Sequence, residues 1–247
     1  MALVPEAARG RVEQHVHSAS AVGLALCGLE FARVQHGLAP GSFQRQDRIT
    51  FGAGPSETEL TTETAPMLRV LTARLFETRH DNGSARDPLY RMQPERWLES
   101  RLFAALPEID HSLLSAPVYR QVPAFAARDR GMLDLLAVNR DGRLAVIELK
   151  ADEDLQMVLQ GLDYWIRVHR AGQANDFTRN GYFPGLRLSD ASPLLYFIAP
   201  ALRVHPATET VLRYLSPEIE WSLIAVGEDW RRSMNVIWRK RSGVGQP

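Results

Sequence analysis

"DLLAVNRDGRLAVIELKAD", residues 134–152, reads as a hairpin with charges set into its second strand. Two apolar runs flank Asn139-Arg140-Asp141-Gly142, a composition that turns a chain back on itself. The second run, with Ala145, Val146, Ile147 and Leu149, suits a strand covered on both faces. Yet Glu148 and Lys150 stand in it, where charges are costly unless paired, hydrogen-bonded or bound to a metal.

The turn predicts what those charges face. Asn-Arg-Asp-Gly fits a type I turn followed by a left-handed glycine, the three-residue hairpin loop with a bulge. That loop pairs Asn139 with Arg143 and, counting back, Asp134 with Glu148. A two-residue Asp-Gly turn would instead set Leu149 opposite Asp134, on the other face. Because strand side chains alternate, Val146, Glu148 and Lys150 share a face. Two adjacent carboxylates repel unless a proton or cation lies between them. Hard oxygen donors on neighbouring strands suit Mg2+ or Mn2+, with water and phosphate oxygens completing the shell. Such an ion clamps a phosphodiester and activates water, with Lys150 orienting or deprotonating that water or neutralising the phosphate. The same three residues also fit an internal Asp–Lys–Glu salt-bridge network.

Moving outward, apolar spacing and turn signals predict strands at 23–34 and 46–53, a helix at 63–79 with a Leu68, Leu71, Leu75, Phe76 stripe, and a connection at 80–88. A helix over 93–106 opens at Pro94, and "APVYRQVP" is a strand before the hairpin. Residues 152–170 read as a helix capped by Asp152, with Leu155, Val158, Leu159, Leu162 and Ile166 packed. Then come a loop at 180–193, a strand at 194–199, a helix at 207–215 and a strand at 219–226. The plan is mixed α/β, with a domain at 91–247 and an extension of strands and one helix at 1–90. Residues 1–20 read as a loosely ordered leader, although His15 and His17 have the spacing of metal ligands on a strand.

Both flanking helices carry polar residues beside apolar stripes. Gln160 and Tyr164 lie one turn apart, and Glu95 and Glu99 likewise. Glu99, next to Leu98, Leu102 and Phe103, is a solvated edge residue or a third carboxylate for the site.

The ordered set Glu99, Asp134, Ile147-Glu148-Leu149-Lys150 and Gln160-Gly-Leu-Asp-Tyr164 resembles the PD-(D/E)XK nuclease superfamily, with Leu133-Asp134 in place of Pro-Asp. Its Gln160/Tyr164 helix is similar to the RecB-like group, and "GMLDLLAVNRDGRLAVIELK" looks most like the catalytic domain of NucS-type endonucleases. The resemblance covers about 93–226. It implies a restriction-endonuclease-like core, an α-β-β-β-α-β-α-β mixed sheet flanked by helices. It also implies a Mg2+- or Mn2+-dependent phosphodiesterase, an endonuclease rather than an exonuclease, acting on nucleic acid and on DNA before RNA, in repair, restriction or defence. Asp134 and Glu148 would hold the metal and Glu99 would assist, in preference to Glu95. Lys150 would position or activate water; Gln160 and Tyr164 would shape the site or contact the strand. The alternative is an inert module of the same fold that binds nucleic acid or protein, and a homodimer or larger complex fits either.

Composition narrows the field. One cysteine, Cys27, excludes an internal disulfide framework and a CxxC zinc site, and fits a reducing cytoplasm. Cys27 reads as core. No apolar run is long enough for a membrane span, and the N-terminus lacks a secretory pattern. The 29 basic and 29 acidic residues argue against a purely electrostatic nucleic-acid binder. A basic tail after Asp229, with Arg231, Arg232, Arg239, Lys240 and Arg241, is a solvated terminus or a phosphate-contacting patch. No GxSxG, HExxH, GxGxxG or phosphate-loop lysine is present.

Overall fold

The computed structural model describes residues 3–38, 43–123 and 132–243. The chain is mixed α/β and forms two units, residues 1–97 and 98–247.

The first unit holds α1 (Glu6–Arg9), β1 (Val12–Ser18), β2 (Ala21–Leu26), β3 (Leu29–Leu38), β4 (Arg45–Phe51), β5 (Thr58–Glu59), α2 (Ala65–Thr78) and α3 (Pro88–Arg91). The five strands form an antiparallel sheet in chain order. Leu26, Leu29, Phe31 and Phe51 from the sheet share a core with Leu68 and Leu75 of α2, and Leu71 and Phe76 pack at its edge.

Two expectations fail here. The 23–34 run is two strands, because Cys27 and Gly28 both take positive φ (48° and 74°) and reverse the chain between Leu26 and Leu29. A turn with both central residues left-handed matches the twist of a hairpin. Nor are residues 12–18 loosely ordered: β1 pairs with β2 from Val12 to Ser18, and its histidines meet carboxylates, His15 with Glu13 and His17 with Glu30.

Helix α4 (Pro94–Ile109) follows, then β6 (Tyr119–Pro123), β7 (Met132–Val138), β8 (Leu144–Leu149), α5 (Met157–Gln173), α6 (Asp176–Arg179), β9 (Leu194–Pro200), α7 (Thr208–Leu212), β10 (Trp221–Val226) and β11 (Val236–Arg241). The sheet order is β11-β10-β9-β8-β7-β6. Strand β8 is antiparallel to β7 and parallel to β9, and α5 makes the crossover between β8 and β9. On one face Leu136, Val146, Phe197 and Leu223 pack with Val158 and Trp165 of α5. On the other, Leu135, Ile147, Leu149, Ile198 and Ile224 are also buried, which explains the unbroken apolar runs in β8 and β9.

Helix α5 departs from expectation in its start and in part of its facing: Val158 is buried and Leu162 and Ile166 pack against the core as expected, but Leu155 and Leu159 do not. Asp152 does not cap it; the helix begins at Met157, after Asp154 Oδ1 accepts the Gln156 N–H at 2.8 Å in a local turn. Its buried face is Met157, Val158, Gly161, Trp165, Val168 and Ala171, whereas Leu155 and Leu159 are 42% and 60% exposed. The helix rolls to bring Gly161, which has no side chain, against the sheet.

The basic tail is in part an edge strand, β11. Arg239 and Arg241 reach Asp110 at 3.4 and 3.6 Å, and Lys240 pairs with Glu209. These acids partly neutralise the charges that had the look of a free patch.

Candidate active site

The hairpin between β7 and β8 has the register its turn chemistry predicts. Asn139 Oδ1 accepts the N–H groups of Asp141 and Arg143, the Asn139 N–H bonds Arg143 O at 2.9 Å, and Gly142 has φ 77°. Pairs run from Val138–Leu144 to Leu135–Ile147, and one more step sets Asp134 across from Glu148. There the ladder gives way to a side chain: Asp134 Oδ2 accepts the N–H of Leu149 at 3.2 Å. Asp134 thus holds the open end of the hairpin while remaining half-buried.

Glu148, 2% exposed, and Lys150, 9% exposed, form an ion pair, with Nζ 3.0 Å from Oε1. Asp154 Oδ2 lies 4.0 Å from the same ammonium. Burying both charges costs desolvation energy, which is offset only by close geometry such as this.

Helix α5 covers the pair because Gly161 permits it. A Cβ on Gly161 would sit 2.5 Å from the Phe197 ring and 3.4 Å from Glu148 Cβ. On either side of that contact, Gln160 and Tyr164 are half-buried. Burial pushes the Tyr164 phenol above its ordinary pKa, and the carboxylates of Glu148 and Asp134 push it further, against the opposing pull of Lys150. Tyr164 is therefore a protonated hydroxyl in the field of both acids. Gln160 Oε1 is buried with no hydrogen-bond partner among the described residues, an acceptor whose desolvation is uncompensated.

Glu99 is also 2% exposed, whereas Glu95, one turn earlier, is exposed. Gln121 Nε2 donates to Glu99 Oε2 at 2.6 Å. The β6–β7 register runs Arg120–Leu135 and Val122–Leu133, so Gln121 falls level with Asp134. Its φ of 50° interrupts the strand there. Gln121 thus spans from the Glu99 carboxylate to the row of Asp134 and Glu148. Nothing in the sequence singles it out; a positive φ at a non-glycine residue leaves no local signature.

The structure gathers Asp134, Glu148, Lys150 and Tyr164 into one electrostatic cluster, with Gln160 one helical turn from Tyr164. It does not bring Glu99 into a ready-made cage with the other two acids. Among the described residues, no group of three or more His, Cys, Asp or Glu is arranged to hold a metal ion. Asp134 and Glu148 nevertheless supply adjacent hard oxygen donors, and the orphaned Gln160 acceptor adds a third oxygen of the type a hydrated hard cation attracts.

Arg167 is tied to Asp163 at 2.8 Å, and Arg170 is exposed; Arg128 and Arg130 lie outside the described residues. Trp97, Trp165, Trp221 and Trp230 are buried, as core rather than stacking platforms. No described helix is long and apolar enough to cross a membrane.

The fold and site define a mixed α/β protein with a buried carboxylate–lysine cluster at the end of a central hairpin. No protein-family model matches the chain, and no curated protein matches it.

Proposed function

We propose that this protein is a divalent-metal-dependent nuclease of the PD-(D/E)XK type that hydrolyses phosphodiester bonds, with DNA as substrate. The observation that carries the reading is the register placing Asp134 beside Glu148, with Lys150 Nζ 3.0 Å from the Glu148 carboxylate. The order α4, β6, β7, β8, α5, β9, α7, β10, with β8 between an antiparallel and a parallel neighbour, supports a restriction-endonuclease-like core.

Asp134 and Glu148 would hold Mg2+ or Mn2+, and Glu99 would join through its link to Gln121. When bound, the ion polarises the phosphoryl group and lowers the pKa of water. The chain's own residues do the rest. Lys150 swings from Glu148 to orient the attacking water, or to neutralise charge developing on the phosphate. Tyr164, a proton donor near both carboxylates, hydrogen-bonds a non-bridging oxygen. Gln160 offers its uncompensated acceptor to the hydrated site, and helix α5 limits access of bulk solvent.

A second reading has its own support. The Asp134–Leu149 and Glu148–Lys150 contacts are those of an internal network that keeps the fold without turnover. An assay on single-stranded, duplex and branched DNA and on RNA, with Mg2+, Mn2+ or EDTA, separates the two. Metal-dependent cutting lost in Asp134→Asn and Lys150→Ala supports the nuclease. No cutting on any substrate, together with no Mg2+ or Mn2+ heat by calorimetry, establishes the inert module.

A further inference from the structure

We infer that Asp154 is a second seat for the Lys150 ammonium: when a cation takes the Glu148 carboxylate, Lys150 moves across to Asp154, so that loading the site and releasing Glu148 are one event. This rests on the metal-dependent reading above and assigns a positioning residue that the reading does not use. Two carboxylates flank the ammonium unequally. Glu148 Oε1 lies 3.0 Å from Nζ on a buried side chain, whereas Asp154 Oδ2 lies 4.0 Å away on a side chain 37% exposed. A shift of Nζ by roughly 1 Å would make the second contact a charge-assisted hydrogen bond of about 2.7–2.9 Å.

Local bonding prepares Asp154 for that part. Its Oδ1 accepts the Gln156 N–H at 2.8 Å, in the turn before α5, while Oδ2 is the oxygen nearer Lys150. Lys150 is its only cationic partner among the described residues, and the neighbouring Asp152 is engaged with Arg203 at 3.9 Å. Glu148 cannot hold a metal ion and an ammonium together without cost, because two cations on one buried carboxylate repel each other. Lysine suits the exchange: its charge is a compact point on a flexible stem, whereas a guanidinium is a rigid planar fork. An ammonium also has three donors, so Lys150 seated on Asp154 keeps others for water or phosphate. The residue type is itself unusual in this chain. Lys150 and Lys240 are the only lysines among 29 basic residues, and Lys240 is paired with Glu209.

The test is calorimetric titration of the full chain with Mg2+ and with Mn2+, beside NMR of its lysine ammonium groups. Asp154→Asn keeps the oxygen that accepts from Gln156 and should weaken metal binding about fivefold. Asp152→Asn removes the same charge two residues away and should change affinity by less than about twofold. In a Lys150→Met background Asp154→Asn should have no effect; an equal loss in both backgrounds would be a plain field effect and would overturn the exchange. Should Lys150→Met fail to fold, protein isotope-labelled at lysine Nζ gives the same decision, with Lys240 as internal reference. Saturating Mg2+ should leave the Lys150 ammonium protons protected from water exchange in the parent and expose them in Asp154→Asn. Protection kept in the metal-loaded variant would show that Lys150 stays on Glu148 and would overturn the proposal. Asp154→Glu should restore both affinity and protection. Metal binding indifferent to Asp154 sinks the exchange and keeps the metal site, whereas no metal binding by the unaltered chain sinks both. Exchange in a protein that cuts no nucleic acid would keep Asp154 in its role and sink the nuclease.

Discussion

Asp134 Oδ2 accepts the N–H of Leu149 at 3.2 Å, so the carboxylate that faces Glu148 also closes the hairpin that positions it. Structure and chemistry can be separated by substitution. Asp134→Asn keeps an acceptor oxygen and should stay within about 1 kcal/mol of the parent in urea unfolding. Asp134→Ala leaves that N–H without its acceptor and should cost about 1–3 kcal/mol. Both should lose cleavage. An Asn variant as unstable as Ala would show that charge, rather than the hydrogen bond, holds the strand.

Lys150 is the ammonium partner of a carboxylate only 2% exposed. Lys150→Met should destabilise by about 3–5 kcal/mol, because the buried Glu148 charge loses that compensation. Adding Glu148→Gln should recover much of the loss. A double-mutant cycle with no coupling would mean the pair contributes nothing net.

Gly161 tests whether α5 must lie close to Glu148. Alanine is the better helix former by about 1 kcal/mol. Its methyl would nevertheless fall 2.5 Å from the buried Phe197 ring, with no room to yield. The clash should win, at a net cost of about 1–3 kcal/mol, and lift Gln160 and Tyr164 off the site. Phe197→Leu in the same chain should restore thermal stability; a single Gly161→Ala variant as stable as the parent would refute the close packing.

Asp110 and Tyr196 tie the ends of the second unit together, with Tyr196 Oη donating to Asp110 at 3.2 Å. Burial pushes the Asp110 carboxyl up, but the Ser112 N–H, Arg239 and the Tyr196 hydroxyl outweigh it and hold it below the usual value. Its stabilising contribution is therefore present above the ordinary carboxylate pKa of 3.8 and disappears as pH falls through the lower folded value. Tyr196 runs the other way: burial and Asp110 raise it to about 12, so its contribution is full below pH 10 and disappears as pH climbs to about 12. Asp110→Asn should flatten the acid limb of the stability profile, and Tyr196→Phe the alkaline limb. An unaltered profile in either variant would exclude that residue as the titrating group.

Arg79 is wholly buried and donates to four carbonyls, those of Leu26, Cys27, Leu89 and Met92, while stacking on Trp97 at 4.5 Å. Arg79→Met should cost about 3–5 kcal/mol, since several buried acceptors lose donors at once. Arg79→Lys should recover little, because one ammonium cannot serve that spread of carbonyls. Urea unfolding of both variants measures it; a small loss for the lysine variant would contradict the role of the planar fork.

Local chemistry alone dictates the central hairpin. Asn139 to Gly142 dictate a turn, the turn sets a register, and the register puts Asp134 beside Glu148 with no help from the rest of the chain. The order of helices and strands around that hairpin was legible for the same reason, since period and turn residues act over a few positions. Features that depend on distant partners arise only in the folded chain. Helix α5 turned Gly161 and Trp165 inward, rather than Leu159, because close approach to Phe197 and Glu148 outweighed the exposure of one leucine. The basic tail became strand β11 because β10 offered an open edge and Asp110 and Glu209 its counter-charges. Gln121 entered the site through a backbone angle that no residue type announces. Short-range chemistry repeats wherever its residues recur, but charge compensation and close packing exist only once the chain has brought the partners together.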